Sequence, residues 1–238
     1  MNKNIKIALG SIYLIILISF LYFLFTKFDI SRIDDFSYYK TIQENIDDTI
    51  GKNLIFNLIL FFIFSIIWII LLGFGTPLLL LSGILFGKWI GTIISTISIS
   101  VGALSLYIIA SYFFTDLVNQ ILKEKFSKYI ERFQKNEFYY FFAFRFSGGL
   151  GIPFFLQNVL PVVFKMKNSN YFFASFLGFI PVFFIWNTIG AGLNTFIKEA
   201  DEFSILNLIL SDEIYIPVLV FLGLILSSLI LKKKFFND

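Results

Sequence analysis

The chain has 238 residues, 58% of them hydrophobic, 20% aromatic and 15% charged, with a mean hydropathy of +0.83 and a formal net charge of +3. A soluble domain carries about 25% charged residues, and here the charges crowd into a few short segments, which excludes an ordinary water-soluble globule. The absence of cysteine and histidine excludes a disulfide framework, a thiol nucleophile and imidazole ligands or bases.

In chain order, uncharged runs cover 7–26, 53–87, 89–115, 146–164, 168–197 and 214–231. Several reach the roughly 18–20 apolar residues that cross a bilayer as a helix. The pattern predicts an all-α polytopic membrane protein. Lys3 and Lys6 precede the first run. That run is long for a signal peptide, and no small-x-small cleavage site follows it near Thr26, so it reads as a retained span.

Charge then sets topology. The segment 116–137 carries Lys123, Lys125, Lys128, Arg132 and Lys135; Lys165 and Lys167 form a second basic spot, and Lys232, Lys233 and Lys234 a third. The segment 27–52 holds Asp29, Asp34, Asp35, Glu44, Asp47 and Asp48, and 198–213 is similarly acidic. Basic residues favour the cytoplasmic side of short loops, which places both termini inside and the two acidic loops outside. Only 138–164 separates the basic middle loop from Lys165, whereas two full crossings need about 40 residues. A re-entrant hairpin that turns at 148–153 satisfies both length and charge. Non-helical backbone at membrane depth must pack in protein or line a wet cavity.

The first half reads alike, with 54–72 entering, a break at 73–77 and a span over 89–115. Gly-Phe-Gly-Thr-Pro starting at Gly73 and Gly-Leu-Gly-Ile-Pro starting at Gly149 lie 76 residues apart, and the same step superposes Gly102 on Gly178. Two such breaks entering from opposite faces predict two inverted repeats, each a re-entrant helical hairpin followed by a transmembrane helix. Broken helices that meet near the midplane are a transporter architecture.

Arg145 is the one charge within 138–164. A central Arg costs about 2.5–3.5 kcal/mol even on the lenient insertion scale, so it calls for a partner or water. No Asp or Glu lies within the two hairpins, and an anionic ligand such as a lipid phosphate would fill that role. Ser147, Gly148, Gly149 and Gly151 let backbone N–H groups approach it, and Pro153 suits the first turn of a returning half-helix. Gln157 and Asn158 either donate further or bond across helices. Gly73, Gly75 and Pro77 supply the opposing wall. Gly83, Gly87 and Gly91 form a small-residue packing stripe above Ser95, Lys88 marks an interfacial end, and Asn187 and Asn194 mark a polar face. In 116–137, Val118, Ile121, Leu122, Phe126, Tyr129, Ile130 and Phe133 recur at helical spacing, as in a helix lying on anionic headgroups.

Ser82-Gly83-Ile84-Leu85-Phe86-Gly87, Gly91 and Gly102-Ala103 resemble the first half of the VTT domain, which defines the SNARE-associated Golgi protein branch of the DedA superfamily. The stretch from Phe144 to Pro161, FRFSGGLGIPFFLQNVLP, followed by Phe172, Gly178, Pro181 and Gly190, resembles its second half. The resemblance implies two re-entrant hairpins and movement of lipids between leaflets, with undecaprenyl phosphate or another phospholipid as cargo in some bacterial members. Arg145, Pro153, Phe154 and Asn158 match the family's hairpin. Some members carry membrane-embedded acids implicated in proton coupling; this chain has none over 53–115, so passive scrambling suits it better. The Arg that branch members often carry after the first hairpin is also missing from 111–114.

The expected organisation is an N-terminal helix and outer loop over 1–53, a VTT-like core over 54–195 with hairpins near 54–87 and 138–164 and a basic amphipathic loop at 116–137, and an outer loop, last helix and basic tail over 196–238. The expected function is an integral membrane lipid scramblase or flippase of a bacterial plasma membrane, without cofactor and not an enzyme. Its partners are anionic lipid headgroups rather than nucleic acid, and a homo-oligomer is compatible with this reading. A small-anion transporter and a non-transporting assembly scaffold are the alternatives.

Overall fold

The computed structural model describes residues 3–27, 36–71, 74–199, 204–212, 214–223 and 226. The expectations for Gly73, for 28–35 and for the basic tail lie outside these residues. Every regular element among them is helical: α1 (Lys3–Lys27), α2 (Phe36–Lys52), α3 (Leu54–Leu71), α4 (Thr76–Lys135), α5 (Glu137–Phe146), α6 (Phe154–Val159), α7 (Pro161–Phe164), α8 (Asn168–Glu199) and α9 (Ile205–Leu210). Among the described residues, three helical stretches are long and apolar enough to cross a membrane: Leu54–Leu71, Thr76–Phe113 and Asn168–Glu199. Gly10–Tyr22 and Ile214–Gly223 are shorter apolar helices.

α4 is not one straight rod. Gly87 sits at φ 72°, ψ 177°, a region that residues with a Cβ essentially never occupy. The chain folds back there: Ser82 Oγ donates to the Gly91 carbonyl at 2.9 Å, although nine residues of straight helix span about 13.5 Å. Gly87 is therefore the corner rather than a step in a packing stripe. Nothing lies within 4 Å of a Cβ placed on it, so Gly87→Ala should cost only the backbone term, about 1–3 kcal/mol, read as a lowered unfolding temperature in detergent. Beyond the corner, helix continues to Lys135. No Gly or Pro occurs over 103–135, so nothing interrupts it, and the helix expected from the spacing of apolar residues in 116–137 is mostly the end of α4.

α3 and the first arm of α4 form an antiparallel pair. Phe61 meets Phe86 edge to face at 5.4 Å, and Trp68 Nε1 donates to the Phe74 carbonyl at 2.8 Å across the connection. α1 touches α3, with Phe20 against Phe64 and Trp68. Its Tyr13 hydroxyl reaches the carbonyls of Ile70 and Leu71 at 3.1 and 3.0 Å, satisfying acceptors that a helix C-terminus leaves free.

The core of the molecule is the antiparallel crossing of α4 and α8. Tyr107 stacks on Tyr171 at 4.5 Å, and Trp89 meets Phe184 at 4.9 Å. Asn187 lies in the crook of the Gly87 corner, fully buried, with Nδ2 donating to Ser95 Oγ and the Phe183 carbonyl. Gly83 and Gly190 bring the two backbones together: a Cβ on Gly83 would overlap the Asn187 carbonyl oxygen and stand 2.9 Å from Gly190 Cα. Lys88, next to the corner, is exposed.

Each half has the same internal contact. A Cβ on Gly102 would stand 2.9 Å from Ile69 Cβ, and one on Gly178 would stand 2.5 Å from Arg145 Cβ. Both residues of the second contact lie 76 positions after those of the first, so α3 meets α4 as α5 meets α8.

Candidate anion site

α5, α6 and α8 converge on Arg145. Only 1% of its surface is exposed. Nη1 donates to Gln157 Oε1 at 3.1 Å, and Nη2 donates to Asn158 Oδ1 at 2.6 Å and to the Tyr171 hydroxyl at 3.0 Å. The guanidinium carbon lies 4.7 Å from the ring centres of Phe141 and Phe179, 5.5 Å from Phe154 and 5.7 Å from Tyr171. Aromatic faces attract a desolvated cation, each such contact being worth about 0.5–2 kcal/mol. Among the described residues no carboxylate pairs with Arg145, so the positive charge is held by neutral groups alone. Two buried donors in the same cluster lack an acceptor: Arg145 Nε and Asn158 Nδ2.

The chain builds this cluster by an unusual turn. Gly148, Gly149, Leu150 and Gly151 all have positive φ, at 70°, 75°, 53° and 79°, a conformation that glycine adopts freely and leucine does not. The turn brings Gln157 over Gly149. Gln157 accepts from Arg145 and donates from Nε2 to the Ile152 carbonyl at 2.7 Å, so one side chain ties the turn to the cation. A Cβ on Gly149 would overlap the Gln157 amide.

The far end of the hairpin is strapped to α8. Glu137, buried, accepts the Lys167 backbone N–H at 3.2 Å and Asn170 Nδ2 at 2.7 Å. Tyr107 donates to the Met166 carbonyl at 2.6 Å, and Gln134 to the Phe164 carbonyl at 3.0 Å. These bonds hold the reversal at Lys165, whose φ is 50°, and so place Tyr171 in the following turn of α8.

Of the residues expected at the site, Arg145, Gly149, Phe154, Gln157 and Asn158 come together. Gly75 joins them through Phe154, whose ring would lie 3.6 Å from a Cβ on Gly75. The two glycine turns thus meet at one aromatic ring. Ser147 Oγ instead bonds the Phe144 carbonyl of its own helix, Gly148 faces Phe221 and Val182, and Gly151, Pro153 and Pro77 are exposed. At Gly149 the Gln157 amide already fills the space beside the glycine. Gln157 is engaged through both ends of its amide, whereas Asn158 accepts from Arg145 through Oδ1 and keeps Nδ2 as a donor without an acceptor.

Sequence reasoning missed Tyr171, Phe141, Phe179 and Glu137. The family resemblance points to Phe172, which stacks on Phe176 at 6.0 Å, one residue away from the side chain that reaches the cation. Tyr171 could have been found through the internal repeat, because the same step of 76 leads to it from the buried Ser95.

No solved structure matches the chain. The family model of the VTT domain matches residues 69–192, more than half of the sequence, and both glycine turns and the α4–α8 crossing fall largely within it. The protein belongs to the VTT-domain family, the DedA and SNARE-associated Golgi protein family.

Proposed function

We propose that this membrane protein moves phosphate-bearing lipids between leaflets as a scramblase or flippase of a bacterial plasma membrane, with both termini cytoplasmic. The carrying observation is the buried Arg145, with no carboxylate partner among the described residues and with two adjacent donor atoms, its own Nε and Asn158 Nδ2, lacking an acceptor. A buried charge without compensation is costly, and a phosphate oxygen placed against those donors would supply both charge and acceptors.

Several features support re-entrant hairpins that meet at mid-depth. Tyr13, near the middle of α1, meets the last carbonyls of α3, and Phe154, just past the second turn, packs on Phe179 near the middle of α8 at 5.7 Å. α5 has 10 residues, a rise of about 15 Å, half of a hydrocarbon core of about 30 Å. The antiparallel α4 and α8, each packed on its hairpin through an equivalent glycine, support inverted repeats. Leu150, Phe155, Leu156 and Leu160 are exposed around the second turn, which favours acyl chains over a closed aqueous cavity and hence a lipid over a small free anion. Phe154 separates Arg145 from the first turn, and its movement would admit the headgroup.

The test is leaflet exchange of labelled lipid in vesicles, wild type against Arg145→Ala. Exchange by the wild type that falls several-fold in a folded variant is expected. Equal exchange by both would remove Arg145 from the path, and no exchange by a folded wild-type protein would overturn lipid transport.

A further inference from the structure

We infer that the Arg145 site selects a singly charged phosphate, either a phosphodiester or a protonated monoester, over a doubly charged monoester. This deepens the lipid-transport reading and rests on it. The first ground is charge count. The groups touching the guanidinium are Gln157, Asn158, Tyr171, Phe141, Phe154 and Phe179, all neutral. Charges on the surrounding elements are spent or remote. On α5, Glu137 accepts from Lys167 and Asn170. Lys165 and Lys167 at the hairpin end, Lys198 and Glu199 at the far end of α8, and Lys88, Glu131, Arg132 and Lys135 on α4 are exposed. One buried positive charge is balanced by a monoanion, whereas a dianion brings an extra charge into a site where desolvation is expensive.

The second ground is the pair of donor atoms left without any acceptor, Arg145 Nε and Asn158 Nδ2. The two unesterified oxygens of a phosphodiester suffice to satisfy both, so the further charge of a monoester dianion is not needed to pair them. The ring faces of Phe141, Phe154 and Phe179 give that extra charge no stabilisation, because the negative face that attracts the guanidinium repels an anion.

The pH dependence of transport then comes from the ligand rather than the protein. A phosphate monoester loses its second proton near pH ~6 in water, and higher on an anionic surface that concentrates protons. Tyr171 is the titratable side chain in contact with the guanidinium, and phenols ordinarily ionise near pH ~10.

The experiment uses the full chain in vesicles with two fluorescent lipids of identical acyl chains, a phosphatidylglycerol and a phosphatidic acid, assayed from about pH 6 to about pH 9. Phosphatidylglycerol exchange should change by less than about twofold, while phosphatidic acid exchange falls about tenfold or more as its singly charged fraction disappears. Equal exchange of both lipids at high pH would overturn charge selection and leave lipid transport standing. Failure to exchange either would overturn lipid transport. Diethyl phosphate, a soluble monoanion, separates the two sources of this chemistry: its uptake in preference to inorganic phosphate, without lipid exchange, would keep charge selection and overturn the lipid as ligand.

Discussion

Gly178→Val should leave no folded protein, and Gly178→Ala should lower stability by about 3 kcal/mol, the upper part of the overpacking range. A Cβ at Gly178 would stand 2.5 Å from Arg145 Cβ, 3.1 Å from the Phe142 carbonyl oxygen and 3.2 Å from Phe146 N. Two of those atoms are backbone of α5, and the third is fixed by its own Cα, so no rotamer change relieves the overlap. The helices must separate, and the separation also pulls Arg145 away from Tyr171 on α8. For a chain of this size the alanine variant should melt about 6–12 °C lower in detergent. Gly10→Ala is the control. It lies inside α1 with nothing within 4 Å, and relief of glycine's backbone entropy should gain about 0.5–1 kcal/mol. A Gly178→Ala variant that melts with the wild type would refute the close α5–α8 contact.

The second large effect is expected at Gly149. Alanine there meets two costs that can be measured separately. Holding a residue with a Cβ at φ 75° costs about 1–2 kcal/mol. The added methyl also displaces the Gln157 amide, which leaves Arg145 Nη1 and the Ile152 carbonyl without their partners, at about 1–3 kcal/mol for each buried group. Gly151→Ala isolates the first cost, because Gly151 has φ 79° and nothing within 4 Å. It should therefore be clearly milder than Gly149→Ala. In the double variant Gly149→Ala with Gln157→Ala the overlap is gone, so the two single costs should fail to add by about 1 kcal/mol or more. Additive costs in thermal or denaturant unfolding would mean that Gln157 does not lie over the turn.

Much of this organisation was legible in the chain because it follows from composition and from backbone chemistry. Uncharged runs long enough to cross a bilayer, interrupted by paired Gly-x-Gly-x-Pro breaks, imply helices that stop and turn, and the spacing of 76 led to Gly102 and Gly178, which make equivalent contacts. Arg145 stood out as an isolated charge in an apolar stretch, and Gln157 and Asn158 as amides one turn beyond the break. Gly87 was misread as a packing residue because its spacing from Gly83 and Gly91 fits a helix face. Whether a glycine lies along a helix or breaks it depends on φ and ψ, and residue type leaves both open. Glu137 was passed over because an acid at a predicted interface ordinarily meets water.

By itself the sequence determined the solvent of this protein and where its helices could break: hydropathy demands a bilayer, and the paired Gly-x-Gly-x-Pro stretches permit non-helical backbone there. The tertiary structure alone decided what compensates the buried cation. Tyr171 lies 26 residues from Arg145 in the chain, and Phe179 lies still further. Only the packing of α8 on α5, allowed by a missing side chain at Gly178, brings both to the guanidinium. Partners of a buried charge are chosen by which helices meet and at what height, a property of the assembled fold that no local pattern encodes.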